Sequence, residues 1–196
     1  MKQFSDADFD RIIKNLKENE NGDPCGNERV LMNKIGSVSA AMIAYYQGEI
    51  HSINHFLKVY GFAKTIGEKE ELDPANLEIL EVAALMHDIG IKVSLEKYQS
   101  SDGIYQQIEG PPLAKAMLTG MDYPSNFTVR VCWLIAHHHD YPSVRELDHQ
   151  ILVEADFLVN AYEQALSEES LCDGYTGIFK TQTGRELFQA LYGMSG

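Results

Sequence analysis

The stretch Ala83-Ala84-Leu85-Met86-His87-Asp88-Ile89-Gly90 places a histidine and an aspartate side by side after an apolar helix face. A neutral imidazole and a carboxylate are both common ligands for divalent metals. Histidine is also favourable at the negative C-terminal end of a helix, whereas an aspartate there needs a compensating cation. The doublet alone therefore indicates either a metal site or an ordinary helix end, and residues elsewhere must decide.

Three other groups of polar residues interrupt apolar helical segments in the same way. His55 lies within an amphipathic helix, His137-His138-His139 closes the apolar run 131–136, and Asp156 is flanked by apolar residues. Successive helical side chains point about 100° apart, so three neighbouring histidines cannot all bind one ion, but two can face neighbouring metals. A buried carboxylate without a partner is costly. One shared cation therefore explains these residues better than a separate structural role for each.

The periodicity of the chain predicts an all-α fold. Almost every periodic segment has helical spacing, and no convincing run of alternating β-branched residues appears. Asp73-Pro74 is typical of a helix start, Gly67 is interpreted as a C-terminal cap, and Gly174 and Gly177 as a loop. The predicted helices cover about 4–16, 28–46, 50–66, 73–90, 111–118, 125–141, 148–166 and 184–192.

The length and composition indicate a single globular domain. The chain has 196 residues, of which 44% are hydrophobic, and this size is sufficient for a full core. The stretch 19–26 is rich in Asn, Gly and Pro and is the predicted linker. We therefore expect an N-terminal helix and linker over 1–27 and a helical domain over 28–196, with its core at 51–162, in one compact unit overall.

The charge and cysteine content narrow the classes of partner and compartment. With 16 Lys+Arg against 29 Asp+Glu, the net charge of −13 argues against a nucleic-acid polymer. The longest charge-free stretch of the first third, 35–48, is too short to span a bilayer, and the acidic N-terminus differs from a secretory signal. Cys25, Cys132 and Cys172 lack CxxC spacing, which indicates reduced thiols, with Cys132 as core. We predict a cytoplasmic protein without a membrane partner; a homo-oligomer is left open.

The order His55, His87-Asp88, Asp156 resembles that of the HD superfamily of metal-dependent phosphohydrolases. The similarity covers roughly 51–162, and Lys58-Val59 matches the basic residue and valine that usually follow the first histidine of the family. The resemblance implies an HD-domain-like helical bundle of about seven to nine helices. It also implies a divalent ion held by four residues, which are His55, His87, Asp88 and Asp156.

His137 and His138 are similar to the paired histidines with which some HD proteins hold a second metal. The resemblance implies a binuclear site in which Asp88 bridges the two ions, with Glu109 as a further contributor. The cyclic-dinucleotide branch has a longer glycine-containing motif ending in Gly-Tyr-Pro. This chain instead has His139-Asp140-Tyr141-Pro142 without those glycines, which argues against a cyclic-dinucleotide substrate.

The family chemistry implies hydrolysis of a small phosphoester or nucleotide by metal-activated water. One or two divalent ions (Mn, Fe, Co, Ni, Mg or Zn) would polarise a phosphoryl oxygen and lower the pKa of the bound water. Asp88 would be central to catalysis, and Lys58 and Lys92 are candidates for contacting the phosphate. Glu109 is interpreted either as an orienting partner of a ligand histidine or as an acid at a helix N-terminus.

Two other functions are compatible with the same helices. The first is an HD-type di-iron oxygenase, for which bound iron and oxygen uptake would be diagnostic. The second is a non-catalytic regulatory module stabilised by a structural metal, which would turn over no phosphoester when loaded with metal.

Overall fold

The computed structural model describes residues 11, 14, 34–141 and 144–193 of the chain. Within these ranges the ordered elements are helices and no strand is present, so the prediction of an all-α fold is confirmed. In chain order the α-helices are α1 (Lys34–Tyr45), α2 (Ile50–Lys69), α3 (Pro74–Met86), α4 (Ile91–Tyr98), α5 (Gly103–Gly120), α6 (Ser125–His137), α7 (Leu147–Glu163), α8 (Glu168–Gly177) and α9 (Gln182–Tyr192).

Helix α3 lies at the centre of the bundle. It packs against α1, α2, α6 and α7, and its residues from Leu80 to Met86 are all buried. A helix that is buried on every side must be apolar on nearly every side, as its sequence Val82-Ala83-Ala84-Leu85-Met86 is. The C-terminal end of α3, where His87-Asp88 follows, is therefore delivered into the interior.

The start of α3 follows the sequence prediction, whereas the predicted end of α2 is wrong. Asp73 accepts hydrogen bonds from the backbone N–H groups of Ala75 and Asn76, with Pro74 in the first turn. Gly67 is not a C-terminal cap, because α2 continues to Lys69. A Cβ atom at Gly67 would lie 2.7 Å from Leu77 Cδ1. At this glycine, leucine side chains of α3 pack directly against the backbone of α2, and a larger residue would have to displace them.

The predicted segment 73–90 is two helices, because α3 ends at Met86 and α4 begins at Ile91. Similarly, the expected loop at Gly174 and Gly177 lies in α8. The first turn of α8 is capped by Ser167, whose hydroxyl accepts a hydrogen bond from the Ser170 N–H.

Helix α5 differs most from the prediction, because it begins at Gly103 and continues through Pro111 and Pro112. A proline inside a helix costs about 3 kcal/mol. The buried residues Gln106, Gly110, Ala114 and Leu118 recur every four positions and form one face of α5. The helix packs along α6, and we attribute its continuity across the prolines to this burial, which outweighs local propensity.

Some predictions fall outside the described part of the chain. Apart from Arg11 and Lys14, the predicted helix and linker over 1–27 lie there, as does Cys25. Cys172 is exposed, and Cys132, predicted as core, is half-buried with its thiol donating to the Pro111 carbonyl at 3.3 Å. Among the described helices, we find none whose length and apolar character would allow it to cross a membrane.

Candidate metal centre

The turn after α3 is held firmly in place. The Tyr46 hydroxyl donates to the Asp88 carbonyl at 2.6 Å, and the Tyr45 hydroxyl donates to the Ile89 carbonyl at 3.2 Å. On the other side, the turn touches the α5 backbone. A Cβ atom at Gly90 would lie 2.8 Å from the Gly110 nitrogen. The position of Asp88 is therefore fixed from both α1 and α5.

Four predicted ligands converge at this turn, and we call them the ligand set (His55, His87, Asp88 and Asp156). His55 Nε2 lies 3.1 Å from His87 Nε2, and each of these atoms lies 3.3–3.4 Å from Asp88 Oδ2 and from Asp156 Oδ1. The residues come from α2, the end of α3 and α7, so helix packing brings together side chains that are distant in sequence.

The ligand set has the chemistry and spacing of a metal site. The ligand atoms of His55, His87 and Asp88 lie 3.1–3.4 Å from one another, so a point about 2 Å from all three exists, which is a normal distance from a metal to nitrogen or oxygen. The set combines two imidazoles with two carboxylates, a mixture that suits several divalent ions. His55, His87 and Asp88 can jointly hold an ion, and the residues therefore fit a divalent metal.

The site is buried except at Asp88. His87 is fully buried and Asp156 is 2% exposed, whereas the side chain of Asp88 is 19% exposed. Burial lowers the pKa of His55 and of His87, but the Asp88 and Asp156 carboxylates outweigh it and raise both pKa values. For Asp88 and Asp156 the effects are reversed: burial alone would raise the pKa values of the two carboxyls, but the neighbouring histidines keep these pKa values below the ordinary value. Solvent thus reaches the ligand set on the side of Asp88.

Two residues that hold the ligands were missed by the sequence reasoning. Glu163 Oε2 lies 2.9 Å from His55 Nδ1, and the Asn160 amide donates to Asp156 Oδ1 at 2.8 Å. Both lie on α7, about one and two turns after Asp156. Their spacing from Asp156 was the available signal, because side chains four and seven positions apart share one helix face.

A second group of potential ligands adjoins the first, and we call it the second set (Asp88, His138 and His139). Their ligand atoms all lie within 4.8 Å of one another. His138 is fully buried, and its Nε2 atom has no hydrogen-bond partner within the described chain and lies 3.7 Å from Asp88 Oδ1. Burial, with the neighbouring His138, lowers the pKa of His139 to about 4. A neutral, unpartnered imidazole is suited to bind a cation.

His137 differs from its predicted role, since the structure brings together His138 and His139 instead. The His137 ring stacks on Trp133 at 4.2 Å between centroids, and its Nδ1 lies 2.7 Å from the Trp133 carbonyl. The physical reason is that α6 ends at His137. His138 and His139 follow that end, and their ligand atoms lie on the side of Asp88.

The three other predicted catalytic residues have partners outside the ligand set. Lys58 Nζ lies 2.5 Å from Glu163 Oε1, and Lys92 Nζ lies 3.0 Å from Glu49 Oε1. Glu109 accepts hydrogen bonds from the Lys97 ammonium and the Tyr98 hydroxyl. Because it lies in the middle of α5, it is not an acid at a helix N-terminus. We find no contact of Glu109 with a site histidine in the described ranges.

The fold is similar to that of a solved structure. A crystal structure of a predicted HD superfamily hydrolase from an uncultured Thermotogales bacterium matches with a TM-score of 0.58 and 23% sequence identity, over 86% of this chain and 92% of the other. A search of curated proteins found no match.

A family model gives the clearest assignment. The model of the HD domain matches residues 52–170, which include all four members of the ligand set. This match covers more than half of the chain, and its residues converge as the metal-binding chemistry requires. The chain therefore belongs to the HD-domain family.

Proposed function

We propose that the protein is a metal-dependent phosphohydrolase that acts on a small phosphoester or nucleotide. The main supporting observation is the ligand set, in which three members are nearly inaccessible and the side chain of Asp88 is 19% exposed. A site that is closed around the ligands and open at one carboxylate can bind an ion firmly and still admit a substrate.

A bound divalent ion would polarise a phosphoryl oxygen and lower the pKa of a coordinated water towards neutrality. His55, His87 and Asp156 would hold the first ion from the buried side, and Asp88 would complete the set on the open side. The two Asp88 oxygens are directed differently, with Oδ2 near His87 and Oδ1 near His138. Asp88 could therefore bridge to a second ion held by His138 and His139.

The charge supports a compact anionic substrate. The two carboxylates of the ligand set offset one divalent ion, so a second ion would leave the site positive. Such a site would attract a phosphate group even on a chain of net charge −13. The negative charge elsewhere disfavours nucleic-acid polymers. Lys58 and Lys92 remain candidates for contacting the phosphate. Each would then weaken its ion pair, with Glu163 and Glu49 respectively.

The test is metal analysis of protein purified without chelator, followed by a screen of nucleotides and small phosphoesters with Mn²⁺, Co²⁺, Ni²⁺ or Mg²⁺. We expect bound metal and phosphate release that chelator abolishes. Absence of bound metal, with thermal stability unchanged by every ion, would contradict the proposal. Bound iron with oxygen uptake would instead identify an oxygenase, and a metal-loaded protein without any turnover would identify a regulatory module.

A further inference from the structure

The imidazole rings of His55, His87 and His138, which are buried at the site, are held in position in two different ways. Each ring has one nitrogen that faces the carboxylates of the site and one that must be held elsewhere. His87 Nδ1 lies 2.9 Å from the Ala84 carbonyl, and His138 Nδ1 lies 2.7 Å from the Ile135 carbonyl. Both histidines immediately follow a helix, where the last carbonyls have no helical N–H partner. Their own helices therefore fix these two rings.

His55 is oriented in a different way, because it lies in the interior of α2. There the carbonyls one turn back already accept helical N–H groups. Its Nδ1 atom contacts a side chain instead, Glu163 Oε2 on α7, at 2.9 Å.

We propose that Glu163 is a positioning residue that fixes the ring and the tautomer of His55. By accepting the Nδ1–H hydrogen bond, it would leave the lone pair of Nε2 directed at the ligand set, which a metal requires. The inference rests on the metal-binding part of the proposed function. It concerns a residue that does not itself touch the ion or the substrate.

The charge balance around Glu163 supports this role. The carboxylate is 8% exposed, and an ionised group at such depth needs a cationic partner. Lys58, one turn after His55 on α2, supplies it, with Nζ 2.5 Å from Glu163 Oε1. One carboxylate oxygen thus contacts the lysine, and the other contacts the His55 imidazole, with Nε2 of the exposed His51 3.5 Å from that same oxygen. Lys58 thus compensates the negative charge of Glu163 beside His55.

The spacing on α7 makes the arrangement part of the fold. Asp156, Asn160 and Glu163 lie on one face of the helix, at positions i, i+4 and i+7. Asp156 joins the ligand set directly, Asn160 donates to Asp156, and Glu163 contacts His55. One face of α7 thereby provides the ligand Asp156 and the two residues that contact Asp156 and His55.

The experiment compares Glu163→Gln and Glu163→Ala with the wild type. We expect the affinity for Mn²⁺ or Zn²⁺, measured by titration calorimetry, to fall by about 10- to 100-fold in the alanine variant. The glutamine variant should lose less, because its amide oxygen can still accept a hydrogen bond. Nitrogen-15 NMR of the metal-free proteins, recorded at a pH above the raised pKa of His55 so that its ring is neutral, should show the His55 proton on Nδ1 in the wild type and a mixture of tautomers in Glu163→Ala. A merely structural role would not move this signature.

Glu81→Gln is the matched control. Glu81 is 7% exposed and pairs with Lys64 at 2.8 Å, so it resembles Glu163 in burial and partner, but it contacts no site histidine among the described residues. We expect its metal affinity and the His55 tautomer to equal those of the wild type. An equal loss of affinity in this control, or wild-type affinity and tautomer in Glu163→Ala, would overturn the inference.

The two proposals fail in different ways. A wild-type protein without metal affinity would contradict the proposed function, whereas the tautomer measurement needs no metal and still tests the role of Glu163. If Glu163→Ala does not fold, the metal affinity of Glu163→Gln decides: an intermediate loss supports the inference, and an affinity equal to that of the wild type would overturn it.

Discussion

His87 and His55 face the same two carboxylates from opposite kinds of position. His87 follows the end of α3, and its second ring nitrogen is held by a carbonyl of that helix. His55 lies inside α2, and its second nitrogen is held by a glutamate of α7. The orientation of His87 is therefore a local property of one helix, whereas that of His55 exists only after α2 and α7 have packed together.

The two arrangements respond to different disturbances. A change that loosens the packing of α2 on α7 should release His55 while His87 keeps its orientation. Damage to the end of α3 should have the opposite effect. The predictions below test whether the ligand set behaves as one unit despite these separate supports.

The largest effect is expected for Asp88→Ala. Asp88 belongs to both the ligand set and the second set, so its loss should affect metal held by either kind of histidine. We expect metal affinity to fall by more than about 100-fold, beyond the usual cost of losing an outer partner. Metal content after dialysis measures this. Retention of metal by the variant would mean that neither histidine arrangement depends on Asp88.

Metal affinity should increase with pH. Burial lowers the pKa of His55 and of His87, but the carboxylates outweigh it, so in the metal-free protein both pKa values lie above the ordinary value of about 6.5. These protons must leave before metal binds. Affinity should therefore rise about tenfold per pH unit for each proton released, over the range up to the raised pKa values.

Stability without metal should change in the opposite direction. The contribution of a histidine with a raised pKa is fully present below its unfolded value and is lost as the pH rises through the folded value. The increase in melting temperature on adding metal should therefore be larger at about pH 8 than at about pH 6, as thermal unfolding at both values would measure. A metal effect independent of pH would argue against protonated histidines at the site.

His139→Ala and His137→Ala separate the second set from its neighbour. We expect the alanine at His139 to weaken binding of a second equivalent of metal by at least about tenfold. The alanine at His137 should leave both equivalents unchanged and reduce the free energy of unfolding by about 1 kcal/mol, because the stacking on Trp133 is lost. Metal stoichiometry after dialysis distinguishes them. If His137→Ala instead lost the second equivalent of metal and His139→Ala kept it, His137 rather than His139 would be the partner of His138.

The smallest effect is expected for Cys132→Ala, remote from both histidine arrangements. The thiol is half-buried and donates a hydrogen bond to the Pro111 carbonyl. Its removal should lower the free energy of unfolding by less than about 1 kcal/mol and leave metal affinity unchanged. Chemical denaturation measures the first quantity. A larger loss would mean that this hydrogen bond supports the proline segment of α5.

The comparison of His87 with His55 also explains how much of the site could be predicted. The sequence order predicted four ligands, each a histidine or an aspartate that interrupts an apolar helix, and the structure brings these four residues together. Glu163 was not found in that way, since it lies near the end of α7 among polar residues and only its spacing of seven positions from Asp156 indicates a shared helix face. Its role depends on the packing of two helices.

The helices show the same division between local and tertiary information. The start of α3 could be predicted from Asp73-Pro74, since a cap acts within one turn. The continuation of α5 through Pro111 and Pro112 could not, because it depends on the burial of one helix face against α6. Likewise, Gly67 resembles a helix end in sequence and serves a close helix contact in the fold.

The contact of Gly90 with α5 fixes a backbone distance near the site, whereas the exposed side chains of α5 lie outside this contact. A Cβ atom at Gly90 would meet the Gly110 nitrogen at 2.8 Å and the Gln106 carbonyl oxygen at 2.9 Å, so backbone atoms alone set the distance of α5 from the turn that carries Asp88. Exposed side chains of α5, such as Ile104 and Ile108, have no part in that contact. A substitution at either isoleucine can therefore change the surface beside the candidate metal site without moving the turn that carries Asp88.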